Sequence, residues 1–254
     1  MRNKKNIWIT GASSGVGQGL AKAYIEQGHF VIVSGRNRTA LNELEALAPD
    51  RVRTLAVDLA DEAEIQQLSN QLNNLTDVLD LLILAAGVCE YVDHPRQSTQ
   101  LYRRVMEVNY FAQISCVNIA LSLLARSELR PQIVGIGSLS TVVPFPRAEA
   151  YGASKAAFEY WIKSLRIDLA PSNIDVSLIS PGFINTPLTQ KNDFQMPRLV
   201  EVDEACNKII AAIEGRKRHF SFPLGLSLPL KLMAVLEPLW YRLVVPKLVR
   251  QSRL

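Results

Sequence analysis

Apolar runs bounded by turn residues recur along most of the chain, at residues 7–10, 29–34, 52–57, 79–85, 132–137 and 174–180, with a short seventh at 219–222. Between them, residues 18–27, 41–47, 62–75, 101–125 and 151–169 carry apolar side chains at helical spacing. Strands that are apolar throughout, rather than alternating, are covered on both faces and belong to a parallel sheet. Right-handed crossovers then predict a doubly wound α/β fold whose ligands bind beyond the carboxyl ends of the strands. No linker and no internal repeat interrupts the alternation, so residues 1–222 read as one catalytic-sized domain.

The rhythm breaks after residue 222. Residues 221–250 are rich in Leu, Val and Pro, and Pro223, Pro229, Pro238 and Pro246 are expected to divide them into short pieces. No window offers the roughly 18 uncharged apolar residues that a spanning helix needs. Residues 223–254 are therefore expected to form an apolar and basic extension of the same domain.

Composition narrows the class. With 48% apolar and 20% charged residues over 254 positions, the chain is neither disordered nor fibrous. Its net charge of +4 is a property of the tail. From Arg216 onward eight Lys/Arg face Glu237 alone, and the preceding 215 residues are net −3. A general nucleic-acid role is not expected, and a local anionic partner stays open. Three scattered cysteines without metal-ligand spacing predict reduced thiols and no metal site. No secretory leader is evident after Met1, so a cytoplasmic location is expected, with peripheral contact at a membrane surface open.

The chemistry begins at Thr10-Gly-Ala-Ser-Ser-Gly-Val-Gly17, between the first strand and a helix. Glycines at 11, 15 and 17 let backbone amides, with Ser13, Ser14 and Val16, approach a pyrophosphate at the helix N-terminus. The second strand ends Val31-Ile-Val-Ser-Gly-Arg-Asn-Arg38. A carboxylate there would bind the ribose 2′-hydroxyl of NAD; Gly35 stands in its place, and Arg36 follows, suited to the 2′-phosphate of NADP. Arg38 and the Ser13 hydroxyl are further candidate donors. The cofactor expected on these residues is NADP(H).

Tyr151-Gly-Ala-Ser-Lys155 opens the helix after the fifth strand, with the two side chains on one helical face. An ammonium beside a phenol stabilises phenolate, so Lys155 is expected to lower the Tyr151 pKa toward the working range of a general acid/base. Ser138 ends the fifth strand, where its hydroxyl can meet a carbonyl oxygen as charge develops. Asn109 is a polar residue in an otherwise apolar helix.

Taken together, the glycine loop, Asp58, Asn109, Ser138, Tyr151, Lys155 and Pro181-Gly-Phe-Ile-Asn-Thr186 stand in the order and spacing of a short-chain dehydrogenase/reductase, which the chain resembles over about residues 4–222. The resemblance implies a Rossmann-type fold, a nicotinamide cofactor, and a catalytic tetrad on Asn109, Ser138, Tyr151 and Lys155. It implies that Asp58 and Leu59 border the adenine, that Ala85, Ala86 and Gly87 flank the cofactor, and that Pro181, Gly182, Ile184 and Thr186 meet the nicotinamide end. Leu84-Ala85 replaces the family's usual Asn-Asn before Ala86-Gly87. That substitution puts local hydrogen bonding between strands in doubt more than the chemistry.

Residues 187–197, with Phe194 and Met196, are expected to close over an apolar substrate. The tail's leucines, Trp240-Tyr241 and interspersed bases fit either an element lying on an anionic membrane surface or an arm that builds a homodimer or homotetramer. The activity expected is an NADP(H)-dependent oxidoreductase acting on a small-molecule carbonyl or secondary alcohol of lipophilic character. A 3-oxoacyl-thioester reductase of fatty-acid metabolism is the alternative enzyme, and a non-catalytic NADP-binding sensor the alternative from another class.

Overall fold

The computed structural model describes residues 4–92 and 99–249. Seven strands form one parallel sheet: β1 (Asn6–Thr10), β2 (Phe30–Gly35), β3 (Val52–Ala56), β4 (Leu81–Leu84), β5 (Gln132–Ile136), β6 (Asp175–Pro181) and β7 (His219–Phe222). Their spatial order is β3-β2-β1-β4-β5-β6-β7, so the winding reverses between β1 and β4. Loops leaving β1 and β4 diverge to opposite sides of the sheet at that point and open a crevice between them.

Helices cover both faces. On one side α1 (Gly15–Glu26), α2 (Arg38–Leu47) and α7 (Val202–Glu214) pack on Ile7, Ile9, Val31, Val33, Leu81 and Ile83. On the other, α3 (Glu62–Leu75), α5 (Ala112–Leu124) and α6 (Glu149–Asp168) pack on Trp8, Ile32, Leu82, Leu84 and Ile133. Successive residues of one strand thus enter different cores, which is why the strands carry no polar alternation. The buried Trp8 indole keeps its polar atom satisfied by donating Nε1–H to Ser34 Oγ at 3.0 Å.

Two expectations are corrected. The continuous helix over 101–125 is instead α4 (Thr99–Met106), a π-helical turn at Glu107–Phe111, and α5. Asn109 sits within that wide turn, its side chain hydrogen-bonded to the Val88 backbone in the loop after β4. In the tail, Pro229 does not end a helix: α8 (Leu224–Val235) runs through it. Pro223 caps that helix, and Pro238 and Pro246 lie in the first turns of α9 (Glu237–Leu239) and α10 (Val245–Leu248), positions that need no backbone N–H. The tail packs through Leu226, Leu230, Met233 and Trp240 onto Leu139, Val143 and Phe145 in the loop that follows β5. Arg250 and Arg253, counted in its charge, lie outside the described residues, as do residues 1–3 and 93–98.

Candidate active site

The turn after β1 is shaped by what a side chain would meet. Gly11 has φ +67°, and a Cβ there would lie 2.6 Å from Ala86 Cα. Only glycine lets this turn press against the loop leaving β4. Gly35 does the same for the end of β2, since a Cβ would lie 2.8 Å from Ser13 Oγ. The absence of an acidic side chain at Gly35 is therefore steric as well as electrostatic: Ser13 occupies the space, and the exposed Arg36 is the first side chain to reach outward.

Helix termini differ in a way that marks the site. Asn37 caps α2 by accepting from Ala40 N–H, and Asp61 caps α3 by accepting from Ala63 and Glu64 N–H. By contrast, α1 starts after an extended Ser14 whose side chain makes no capping bond, and its first turn contains no acid. Its amides and its positive dipole end face the crevice without a protein anion to satisfy them. That is the condition for holding a phosphate group.

Across the crevice, Ser138 closes β5 and caps a short 3-10 turn, its Oγ accepting from Ser140 N–H at 3.1 Å. Tyr151 and Lys155 rise from the first turns of α6. The buried Lys155 ammonium donates to the Ile136 carbonyl at 2.9 Å. Burial lowers its pKa from 10.5 to about 8. Tyr151 departs from the sequence expectation: its pKa is raised, first by enclosure of the phenol and then by the nearby Cys89 thiol. The Ser138 hydroxyl, hydrogen-bonded to it, acts in the opposite direction without reversing the result. The correction has a plain cause. Lys155 is itself desolvated and directed at a carbonyl, so its charge does not offset the loss of water around the phenol.

One cleft gathers almost every residue singled out in the sequence. Gly11, Ser13, Ser14, Gly15, Val16, Gly17, Arg36, Asp58 and Leu59 line one half. Ala85, Ala86, Gly87, Ser138, Tyr151, Lys155, Pro181, Gly182, Ile184 and Thr186 line the other. Arg38, the first residue of α2, is not on its wall. Asn109 stands behind the wall: Oδ1 accepts from Val88 N–H at 2.8 Å, and Nδ2 donates to Val88 O and Ser154 Oγ, each at 2.9 Å. Both amide hydrogens are thus committed to fixing the loop after β4 beside Tyr151 and Lys155.

Other members of the site escaped sequence reading. Thr10 Oγ1 accepts from Ala85 and Ala86 N–H at 3.2 and 3.3 Å, and Gln113 Nε2 donates to Ala86 O at 3.2 Å. These two side chains hold the Ala85-Ala86 segment from the α5 side of the sheet, in the place where asparagines were missed. Cys89, within electrostatic reach of Tyr151 and Lys155, has its thiol pushed up to about 11 by burial. In front of the cleft, Tyr91 Oη donates to Asn192 Oδ1 at 2.6 Å and meets Phe194 edge-on. Arg147 pairs with Asp193 at 2.8 Å and lies over the Tyr91 ring. Within residues 187–197, Phe194 packs against Phe183 and Asn192 donates to Met196 Sδ, while Pro187, Leu188 and Thr189 reach the cleft wall.

Comparison with known proteins agrees with this architecture. The model of the short chain dehydrogenase family matches residues 5–196. An Anopheles gambiae dehydrogenase/reductase SDR family protein 7-like is 35% identical over 74% of this chain, and the match spans 61% of that relative's own length. An uncharacterized oxidoreductase of Myxococcus xanthus is 30% identical, covering 90% of this chain and 91% of its own. Among solved structures, a short-chain dehydrogenase from Streptomyces avermitilis superposes with a TM-score of 0.82 at 23% identity, over 95% of this chain and 97% of its own. An NADP complex of Pseudomonas aeruginosa RhlG gives 0.79 at 26% identity, over 88% and 96%. A parallel sheet in this order, a crevice at its switch point and a family match across three quarters of the chain lead to one assignment: this chain belongs to the short-chain dehydrogenase/reductase family of oxidoreductases.

Proposed function

We propose that this protein is an NADP(H)-dependent reductase of lipophilic carbonyl compounds, or the corresponding alcohol dehydrogenase. The observation that carries the reading is the pairing, across one cleft, of an uncapped helix N-terminus with Ser138, Tyr151 and Lys155. The α1 amides suit the pyrophosphate, Arg36 suits the 2′-phosphate, and Gly35 leaves no carboxylate to repel it. Asp58 and Leu59 would border the adenine, and Ile184 and Thr186 the nicotinamide. When bound, the nicotinamide supplies or accepts the hydride.

The chain's own residues manage the proton. With its pKa raised, Tyr151 is protonated at neutral pH, the form that can donate to a carbonyl oxygen as negative charge gathers there. The Ser138 hydroxyl would share that oxygen, and Lys155, whose pKa burial lowers, would resupply the proton. Pro187 and Leu188 on the cleft wall support an apolar substrate.

The experiment is NADPH oxidation with a panel of apolar ketones and aldehydes, on wild type and Tyr151→Phe. Turnover should fall by about 10²–10⁴-fold in the variant while NADPH binding is kept. Full turnover in Tyr151→Phe overturns the assignment, and NADPH binding without turnover on any carbonyl favours the sensor alternative.

The tail supports a further part of this reading, contact with an anionic lipid surface. Leu224, Leu228, Leu232, Val235 and Leu243 point outward, flanked by Lys231, Arg242 and Lys247. Among the described residues no helix is long and apolar enough to cross a membrane. An apolar face with basic flanks suits the headgroup boundary.

A further inference from the structure

A second cavity, of about 570 Å³, opens at the opposite edge of the sheet, below the amino ends of β5, β6 and β7. Four arginines line it, Arg130, Arg166, Arg216 and Arg218, and one acid, Asp175. Asp175 is already engaged twice. Its Oδ1 accepts from Arg130 at 2.7 Å, and its Oδ2 accepts from Arg216. Arg166 is held by backbone, donating Nε–H to Val176 O at 2.7 Å and its terminal N–H to Arg218 O. Arg216 adds a bond to Arg130 O at 2.8 Å. The Arg218 guanidinium has no hydrogen-bond or ion-pair partner among the described residues; the pKa of Arg166 is lowered first by burial and then by the charge of Arg218.

The arrangement sets four guanidinium groups against a single carboxylate, an excess of charge that an anion would match. Like charges drawn together around one carboxylate repel, and a guanidinium presents a donor fork matched to phosphate oxygens. The backbone also bends to place one of them. After α7, Gly215 is in an ordinary right-handed conformation while Arg216 takes φ +47°. The left-handed position at a helix end is where glycine is unstrained and a side chain is strained. Here the glycine precedes that position, and an arginine that reaches the cavity fills it.

We infer that this cavity is a binding site for a phosphate-bearing small molecule, separate from the candidate active site. Arg166 and Arg216, braced by Val176, Arg130 and Asp175, form its fixed wall. Arg218 is the free fork that closes on the phosphate. A phospholipid headgroup offers the same chemistry, but the apolar tail begins at the other end of β7, so a membrane seated on α8 does not reach this edge. The ligand is therefore a soluble one.

Calorimetric titration of inorganic pyrophosphate into the full chain tests this, using wild type, Arg218→Gln and Arg36→Ala. Arg218 makes no side-chain contact that the fold needs, so the variant should unfold at the wild-type temperature. Binding should persist in Arg36→Ala and weaken about tenfold in Arg218→Gln, with affinity falling as salt rises. Three results overturn the inference: no binding at about 1 mM pyrophosphate, equal binding by Arg218→Gln and wild type, which would place the anion at the glycine loop, or loss confined to Arg36→Ala, which would place it at the 2′-phosphate position of the nucleotide cleft. Sedimentation with phosphatidic acid vesicles that needs Arg218, in a chain that ignores free pyrophosphate, would overturn the soluble source.

Discussion

Leucine behaves in two ways in this protein. In the sheet and its covering helices, Leu20, Leu41, Leu68, Leu72 and Leu82 are fully enclosed. In the tail, Leu224 and Leu228 keep 64% and 59% of their surface exposed, and Val235 keeps 81%. Both regions are equally apolar in sequence, so hydrophobicity alone does not tell which one is a core. Periodicity does. Strand residues enter two cores in turn, and helix residues keep one stripe inward. The tail instead is apolar around most of its circumference, and a helix that packs on one side only must leave the rest outside. A body that buries its leucines tolerates few changes anywhere, whereas the tail should be sensitive on one face and indifferent on the other.

The largest test of that contrast is Trp240. Although it belongs to the exposed tail, its ring is enclosed, meets Phe145 edge-on with centroids 5.4 Å apart, and donates Nε1–H to Pro144 O at 3.1 Å. Trp240→Ala should cost about 3–5 kcal/mol in chemical denaturation. A loss under about 1 kcal/mol would mean that the tail is only loosely applied to the body and that the two regions are not one folding unit.

Next in size is a buried charge within the body. Lys155 is held at about 8 against an ordinary 10.5. Between those values the unfolded chain keeps a proton that the folded one has released, so stability should rise with pH across that window. Relative to Lys155→Met, wild type should gain about 2–3 kcal/mol from pH 8 to pH 10. Below pH 8 the variant should be the more stable and the less active protein. Parallel stability curves for the two proteins would show that the ammonium is solvated, and the account of Tyr151 given above would fail with it.

Much of this was legible beforehand, and for identifiable reasons. The doubly wound parallel sheet followed from apolar runs and handedness, and the glycine loop from the spacing of its glycines, which φ and close approach at Gly11 explain. The four positions of the tetrad came from the resemblance to short-chain dehydrogenases/reductases, and all but Asn109 line the cleft. What sequence did not reveal depends on long-range partners. Thr10 and Gln113 look like ordinary residues until Ala85 and Ala86 are brought beside them. The direction of the Tyr151 shift was misread because a Tyr and a Lys four apart predict attraction, while only the fold shows that both have lost water and that Lys155 faces a carbonyl. The hydrogen bonding of Asn109 to Val88 was hidden for the same reason, since it spans 21 residues.

A smaller effect is expected at the rim of the nucleotide cleft. Arg36 is exposed, so its removal should leave folding unchanged. Fluorescence titration of Arg36→Ala should show NADPH binding weakened by about 10–100-fold with NADH little altered. Equal loss for both cofactors would place Arg36 on the adenine rather than on the 2′-phosphate.

The smallest expected change in folding is on the outer face of the tail. Leu228→Glu combined with Leu232→Glu alters two exposed side chains on α8, so the unfolding free energy should move by no more than about 0.5 kcal/mol. Sedimentation with anionic vesicles should nevertheless fall, because each acid removes apolar contact and opposes Lys231 and Lys247. Turnover of a water-soluble ketone should be unaffected, since neither residue lines the cleft. If instead the double variant leaves vesicle binding intact and converts an oligomer to a smaller species on a sizing column, the face is covered by a second copy of the chain. The comparison would then change its meaning: the tail's leucines would be core after all, shared between two subunits.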